Sequence, residues 1–257
     1  MTPTAAPTTR RERQREATFA EIVEVSRALL REGAELSLRA VAGAMGMTAP
    51  ALYRYVASYQ ELVDLVAFEV DKAATARFAV AADAVAPDDH VGRLLAAATE
   101  FRRWALANPH EFTLVFANPV AESACLRREM ITVASSGVLF TDLILEVWLD
   151  RRFPVPALEE LPESMREVLA DPLMPAKVEK IAAEDRGLVW IYMQGWTQLY
   201  GIVALEVMGH LDPRVIDSGE MYLDVISRFA PTLGIDDAEM AQRRVQMRAQ
   251  LALPWTH

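Results

Sequence analysis

The sequence is poor in cysteine, because Cys125 is the only one among 257 residues. A single thiol excludes a disulfide within the chain and is typical of proteins that fold in a reducing compartment. The first ten residues hold no apolar run, so we expect no signal peptide. The single cysteine and the lack of an apolar run in the first ten residues together predict a cytoplasmic protein.

Motifs for catalysis and metal binding are scarce as well. The chain has four histidines and lacks the HExxH, GxSxG, P-loop and GxGxxG patterns. Glu206 and His210 form the one acid–histidine pair at a helical spacing suited to a metal, although a helix dipole also favours a histidine at a helix C-terminus. We therefore predict no metal site, no cofactor and no enzyme activity. A helical enzyme stays open as the alternative from another class.

The net charge of −10 at first argues against DNA as a partner. The charge is unevenly distributed, however. Residues 1–57 hold 8 basic and 6 acidic side chains, a balance of +2, whereas the rest of the chain holds 18 and 30, a balance of −12. This asymmetry predicts a basic head that approaches nucleic acid and an acidic body that is held away from it.

A short helix is predicted directly after Ser37. Ser37 is a suitable N-cap, because its hydroxyl can accept an orphan N–H of the first turn. The apolar residues that then recur on one helical face are Leu38, Val41, Ala42 and Met45. Gly46 follows, where helices usually end in a left-handed residue that glycine adopts at low cost. These signals predict a helix of about two turns that stops at Gly46.

A second short helix follows at once. Thr48 stands at its predicted N-cap and Pro50 in its first turn, where the missing N–H costs nothing. Leu52 and Val56 are expected to face inward. The residues left to face outward or sideways are Ala49, Pro50, Ala51, Tyr53, Arg54 and Tyr55. The pair has the pattern of a helix-turn-helix, and an αα-corner without nucleic acid is the alternative.

The outward residues favour DNA over a plain packing corner. Arginine can bind guanine with two hydrogen bonds, and tyrosine hydroxyls can donate to phosphates. Upstream of the helix-turn-helix lies a basic arm of four arginines, Arg10, Arg11, Arg13 and Arg15. Such an arm either contacts phosphates or a minor groove or remains a solvated tail.

The pattern of helices and breaks predicts an all-α protein of two domains. Residues 1–9 are expected to be a disordered tail, 10–81 a helix-turn-helix domain with a connecting helix, and 82–257 a larger helical domain. Ser58 with Glu61 suggests a capping box at the start of the connecting helix. The helices predicted after it cover about 88–107, 110–117, 122–151, 163–170, 176–210, 212–229 and 236–251.

Residues 187–205 form a long stretch without charge. Its polar residues Gln194, Thr197 and Gln198 and the missing basic flank argue against a membrane span. A helix that is apolar all round must instead be covered on every side, and a second subunit is the simplest cover for one face. The residues predicted for this homodimer interface are Gly195, Leu199, Val203, Tyr222 and Ile226.

The second domain is rich in aromatic and methionine side chains. Most are expected in the core, but a subset between helices could line an apolar ligand pocket. The residues predicted for this pocket are Phe101, Trp104, Phe116, Met130, Trp190 and Gln194.

The head resembles the DNA-binding domain of the TetR-type regulators. The resemblance covers about residues 13–65 and rests on Leu38-Arg39-Ala40-Val41-Ala42, Gly46-Met47-Thr48, Ala51-Leu52-Tyr53-Arg54-Tyr55-Val56 and Glu61-Leu62. It implies an all-helical homodimeric repressor that a small ligand releases from its operator. The residues that it would bring to DNA are Ser37, Arg39, Thr48, Ala49, Pro50, Ala51, Tyr53, Arg54, Tyr55 and Tyr59. Tyr59 replaces a lysine that is frequent in the family, so that phosphate contact would lack its charge.

The C-terminal part is similar to one TetR-type branch with a Trp-x-x-x-His-Gly pattern. Here Trp196 and Gly201 are present and Tyr200 replaces the histidine. We predict a dimeric DNA-binding transcriptional regulator, a repressor released by a small apolar or amphipathic ligand. A DNA-binding dimer without an effector is the alternative.

Overall fold

The computed structural model describes residues 9–117, 135–170, 172 and 180–255. Within these ranges the chain is helical and has no strand, which confirms the predicted all-α fold. The chain divides into two compact units. The first unit comprises the described residues up to Val70 together with residues 110–117. The second comprises Asp71–Pro109 and the described residues from Ser135 onward.

This division differs from the predicted boundary near residue 82. The structure places it between Val70 and Asp71, inside a continuous helix, and returns the segment after Pro109 to the first unit. Sequence breaks indicate where helices end, but they do not indicate which helices pack together.

The first unit is built around the N-terminal helices. They are α1 (Arg10–Arg31), α2 (Leu38–Ala44), α3 (Ala49–Leu52) and the first half of α4 (Tyr59–Asp83). A short α6 (Pro109–Phe112) and a π-helical turn (Thr113–Ala117) begin its later segment. Helix α1 packs against α2, and α2 packs against α3.

The start of α1 is more ordered than we predicted for a tail of residues 1–9. The Thr9 hydroxyl accepts a hydrogen bond from the Glu12 N–H (3.2 Å), and the Glu12 carboxylate accepts one from the Thr9 N–H (2.6 Å). This reciprocal capping box fixes the first turn. Thr9 therefore belongs to the helix start, while residues 1–8 lie outside the described ranges.

The second unit contains most of the remaining helices. They are α5 (His90–Ala107), α7 (Ser136–Arg151), α8 (Glu163–Ala170), α9 (Gly187–Val207), α10 (Pro213–Ser218), α11 (Glu220–Phe229) and α12 (Asp237–Leu251). The predicted bounds of α5, α8 and α12 agree with the structure to within two residues. Residues 122–134 of the predicted 122–151 helix lie outside the described residues.

Two of the predicted helices differ from the structure. Helix α9 begins at Gly187 and not near residue 176. Residues 180–186 form loop and short 3-10 turns, one of them at Ala183–Asp185, and residues 176–179 lie outside the described residues. The segment 212–229, predicted as one helix, forms two helices in the structure. Gly219, with φ of +67°, ends α10 and precedes α11, and a left-handed residue cannot continue a helix.

Helix α9 packs against four helices of the second unit, α5, α7, α8 and α11. Its inward residues, including Leu188, Val189 and Val203, are fully buried. Of the helices in the described ranges, none combines the length and apolar character that a membrane span requires.

One buried ion pair joins α5 to α9. The Arg102 guanidinium donates to both Glu206 carboxylate oxygens, at 2.7 and 3.1 Å, and also to the Ile216 carbonyl oxygen at 2.6 Å. Both side chains are almost fully excluded from solvent. Burial raises the pKa of the Glu206 carboxyl, and the hydrogen bonds and charge of Arg102 oppose that rise. Glu206 is thus bound to arginine and is not paired with His210, which is exposed.

We expect Glu206→Leu to destabilise the protein strongly, because it leaves the Arg102 charge buried without a partner. The expected loss is about 3–5 kcal/mol in the free energy of unfolding, measured by urea titration at fixed protein concentration. The double variant Arg102→Met/Glu206→Leu should recover most of that loss, since it removes both charges. As a control, Arg248→Met breaks the exposed pair with Glu220 and should cost far less stability than Glu206→Leu, because solvent screens exposed charges. Equal losses in the single and double variants would contradict this account of the pair.

Candidate functional site

Helix α2 and the turn after it have the geometry that the sequence predicts. The Ser37 hydroxyl accepts a hydrogen bond from the Ala40 N–H at 3.2 Å, so Ser37 caps the helix. Gly46 has φ of +66°, and the Met47 N–H donates to the Ala42 carbonyl oxygen at 2.8 Å. These bonds close the helix in a left-handed cap and turn the chain sharply toward α3.

Helix α3 is shorter than a usual recognition helix. It comprises a single turn with Pro50 at its start, and a hydrogen-bonded turn continues it to Val56. Leu52 and Val56 are buried, as predicted. Thr48 occupies the N-cap position, but its side chain accepts no capping hydrogen bond, so the prediction that Thr48 caps the helix is wrong in that respect. Pro50, in the first turn of α3, has no N–H, so it leaves one donor fewer for a capping side chain to satisfy.

The predicted DNA-contacting side chains differ in exposure. Arg39, Pro50 and Arg54 are exposed, and Tyr53 and Tyr59 expose 50 % and 42 % of their surface. The residues that are partly covered are Ser37, Ala49, Ala51 and Tyr55. The Tyr55 ring lies edge-on to Phe19 of α1, with centroids 5.8 Å apart, so Tyr55 also ties the turn to α1.

The arginines of the first unit fall into two groups. Arg27 donates to both carboxylate oxygens of the buried Glu111, at 2.8 and 3.2 Å, and Arg31 pairs with Glu24. By contrast, Arg39 and Arg54 form no ion pair with any described residue. Their charges are therefore not neutralised by a carboxylate of the described chain, which leaves both guanidinium groups available to phosphate or guanine.

The predicted interface residues on α9 and α11 face the chain's own core. Leu199, Val203 and Tyr222 are buried within the single chain, and a Cβ at Gly195 would lie 3.0 Å from the Phe229 ring. Ile226 lines an internal cavity. Leu199, Val203 and Tyr222 are thus covered within the chain itself, whereas Gly195 and Ile226 are partly exposed, and the predicted interface stays a prediction. The polar residues Gln194, Thr197 and Gln198 lie on the side of the helix away from Leu199 and Val203, and this signal could have identified the outer face.

The opposite face of α9 is open. Thr197 and Leu205 are exposed, and a Cβ at Gly201 would meet nothing within 4 Å. Met208 exposes 44 % of its surface at the end of the helix. The spacing of these four residues places them on one side of α9.

The six residues predicted for a ligand pocket are not brought together. Phe101 and Trp104 are buried in an aromatic cluster, where both rings meet Phe78 at centroid distances below 6 Å. Trp190 and Gln194 border a surface hollow of about 430 Å³. Phe116 belongs to the first unit, and Met130 lies outside the described residues.

A different set of residues lines an apolar cavity of about 80 Å³ in the second unit. Its wall is formed by Leu94, Leu95, Ala98, Gly137, Phe140, Thr141, Ile144, Tyr192, Gly195, Trp196, Leu199, Ile226, Phe229, Ala230, Leu233 and Ile235. No described lining residue is charged. Sequence reasoning missed this cavity, although Trp196 and Phe140 belong to the aromatic surplus that prompted the prediction.

No group of three or more histidine, cysteine, aspartate or glutamate side chains within the described ranges is arranged to hold a metal. The candidate sites that remain are the exposed arginine and tyrosine residues of the first unit and the apolar cavity of the second.

Comparison with known proteins identifies the family of the chain. Residues 94–229, which form more than half of the chain, match the family described as tetracyclin repressor-like, C-terminal domain. Two similar proteins are the HTH-type transcriptional regulators Rv1816 of Mycobacterium tuberculosis (strain ATCC 25618 / H37Rv) and Mb1846 of Mycobacterium bovis. Each is 38 % identical over 108 residues, which is 41 % of this chain and 46 % of the relative.

The regulatory protein SCO4313 has a similar crystal structure, with a TM-score of 0.53 over 96 % of this chain and 100 % of that one. At 20 % identity this likeness concerns the fold alone. The curated relatives are matched over less than half of their own length, and the family match covers most of the second unit. On the strength of that family match, the chain belongs to the TetR family of transcriptional regulators.

Proposed function

We propose that the protein binds an inverted-repeat DNA site through the α2–α3 unit and that Arg54 reads a base within it. The observation that carries this proposal is the exposure of Arg39, Tyr53 and Arg54 on the α2–α3 unit, with no carboxylate partner for either arginine among the described residues. Arginine and tyrosine suit guanine and phosphate contacts. The names of the two mycobacterial relatives support the same activity.

We expect Arg54→Ala to weaken binding to the selected DNA sequence by about 1–3 kcal/mol and to relax the choice of base at one position of each half-site. The site is first selected from random duplexes with the purified protein, and affinities are then measured by fluorescence anisotropy. The matched control is Arg248→Ala on α12, which also removes one exposed arginine and should leave the affinity for DNA unchanged. Equal binding of selected and scrambled duplexes by the wild-type protein would contradict the proposal.

We further propose that the outer face of α9 forms a homodimer interface. This face carries Thr197, Gly201 and Leu205, and a hollow between it and the end of α11 is bordered by Trp190 and Arg228. Gly201 leaves room for close approach of another helix. An obligate interface of this kind buries on the order of 2,000 Å² or more.

Leu205→Glu should convert the dimer to monomer, because it places a charge on the proposed contact without touching the core. Val245→Glu, on α12, changes a more exposed valine and should leave the dimer intact. Sedimentation velocity at micromolar concentration distinguishes the two species. A wild-type monomer, or a dimer that survives Leu205→Glu, would rule out this face.

We also propose that the protein represses transcription and that a ligand in the apolar cavity releases it from DNA. Helix α5 is the proposed connection between ligand binding in the cavity and DNA binding. Its residues Leu94 and Ala98 line the cavity, and the chain passes directly from its end into α6, where Glu111 is bonded to Arg27 of α1. A ligand can weaken DNA binding only if it binds the conformation that is released from DNA more tightly than the conformation that binds DNA.

We expect Ala98→Leu to fill part of the cavity and abolish the response to any releasing compound while leaving operator affinity unchanged. Compounds are found by thermal shift, and operator is then titrated in their presence. A tenfold loss of DNA affinity corresponds to about 1.4 kcal/mol of coupling, and DNA must weaken ligand binding equally. If stabilising compounds leave operator affinity unchanged, the effector-free regulator is the correct alternative.

A further inference from the structure

The first two turns of α1 project beyond the packed part of the first unit. Every residue from Arg10 to Ala17 is exposed, and partial burial begins only at Thr18 and Phe19. The segment holds the four arginines of the basic arm and two glutamates, and none of these arginines forms an ion pair with a described residue. The capping box at Thr9 keeps the segment helical. Its positive charges are therefore displayed on a defined helical surface.

The helical form of this segment determines which surface of DNA it can contact. An α-helix with its side chains is about 10–12 Å across, whereas the minor groove of B-DNA is about 6 Å wide. Insertion of residues 10–17 into a minor groove, one of the two roles considered for the arm, is thus excluded while they stay helical. Contact with phosphates and a solvated helix remain.

Two of the four arginines lie on the side of α1 that borders the recognition turn, which comprises α3 and the hydrogen-bonded turn up to Val56. Arg11, Arg15 and Phe19 are spaced by four residues and form one stripe along the helix. The Arg15 guanidinium lies over the Phe19 ring, 5.4 Å from its centroid, and the same ring contacts Tyr55 of the recognition turn. The stripe therefore runs outward from the recognition turn.

The length and the charge of the stripe both suit a DNA strand. Arg11 lies about 12 Å along the helix axis from Phe19, at a rise of about 1.5 Å per residue. The major groove is also about 12 Å wide, so a recognition turn inside the groove would bring Arg11 near the phosphates at its edge. Like charges four residues apart destabilise a helix, so helix stability does not explain the spacing of Arg11 and Arg15. An anion outside the chain does explain it.

Resting on the proposed function, we infer that Arg11 and Arg15 bind backbone phosphates at the edge of the groove that the recognition turn reads. Arg10 and Arg13 lie about 100° or more around the helix from both and do not take part. Phosphate contacts fix the position of a protein on the duplex and carry no sequence information. The stripe would thus hold the recognition turn in the groove with an affinity that depends on salt and not on base sequence.

The test compares two double variants, Arg11→Ala/Arg15→Ala and Arg10→Ala/Arg13→Ala. Both remove two exposed arginines from the same turns of α1, so their net charges are equal, and alanine is favourable in a helix. Circular dichroism checks that both keep the helix content and the unfolding temperature of the wild-type protein. Affinities for the selected and the scrambled duplex are then measured by fluorescence anisotropy between about 50 and 200 mM salt.

A dimer that loses two phosphate contacts in each subunit should depend less steeply on salt. For Arg11→Ala/Arg15→Ala we expect the slope of log K against log salt to fall in magnitude by about 3–4. Affinities for the selected and the scrambled duplex should weaken by the same factor, because no base contact is lost. The control variant Arg10→Ala/Arg13→Ala should keep the wild-type slope to within about one.

Duplexes with a single neutral methylphosphonate locate the contacts. Neutralising a contacted phosphate should weaken binding of the wild-type protein and have no further effect on Arg11→Ala/Arg15→Ala. An unchanged slope in that variant, an equal loss of slope in the control, or sensitivity of both proteins to the same phosphates would overturn the inference. Equal binding of the selected and scrambled duplexes by the wild-type protein contradicts the proposed function instead, and the salt slopes still decide whether these arginines contact phosphate.

Discussion

Helix α9 imposes the constraint on which the second unit depends. A helix with no charge from Gly187 to Leu205 cannot remain in water on any side, so neighbouring elements must cover it. In the structure, α5, α7, α8 and α11 cover one side of it, and the side with Thr197, Gly201 and Leu205 is left open. Near its C-terminal end, the first charged residue, Glu206, is buried and is held by Arg102 of α5. That pair fixes the position of α9 along α5, because a shift of one turn would separate the charges.

The same helix relates the two proposed activities of the second unit. Its inner face, with Tyr192, Trp196 and Leu199, forms part of the cavity wall, and its outer face, with Gly201 and Leu205, is open. A ligand that displaces the inner face would move the outer one with it, since packed helices shift as rigid elements. Ligand binding and subunit contact would then be coupled through a single helix.

The sequence predicted the parts of this fold that depend on neighbours along the chain. The cap at Ser37, the left-handed turn at Gly46 and the bounds of α12 follow from local chemistry, and each agrees with the structure. The internal face of α9 was not predicted, although the polar residues Gln194, Thr197 and Gln198 lie together on its outer side. The Arg102–Glu206 pair was beyond reach, since its members are 104 positions apart and are brought together only by packing.

The candidate sites divide in the same way. Exposure of Arg39, Tyr53 and Arg54 follows from the period of a short helix, and these residues are accessible as expected. The cavity depends on the space left between α5, α7, α9 and α11. The number of aromatic residues therefore indicated that a pocket was plausible in this domain, but it did not indicate which residues line it.

The central claim is that two copies of the chain bind one DNA site together, and a distance between subunits tests it most directly. A spin label is attached at Gly43→Cys, where a side chain would meet nothing within 4 Å, in a Cys125→Ala background. Double electron–electron resonance is recorded with and without the selected duplex. The account predicts a dipolar signal in both states and a single narrow distance with DNA. A DNA-bound sample without any dipolar signal between labels would contradict it.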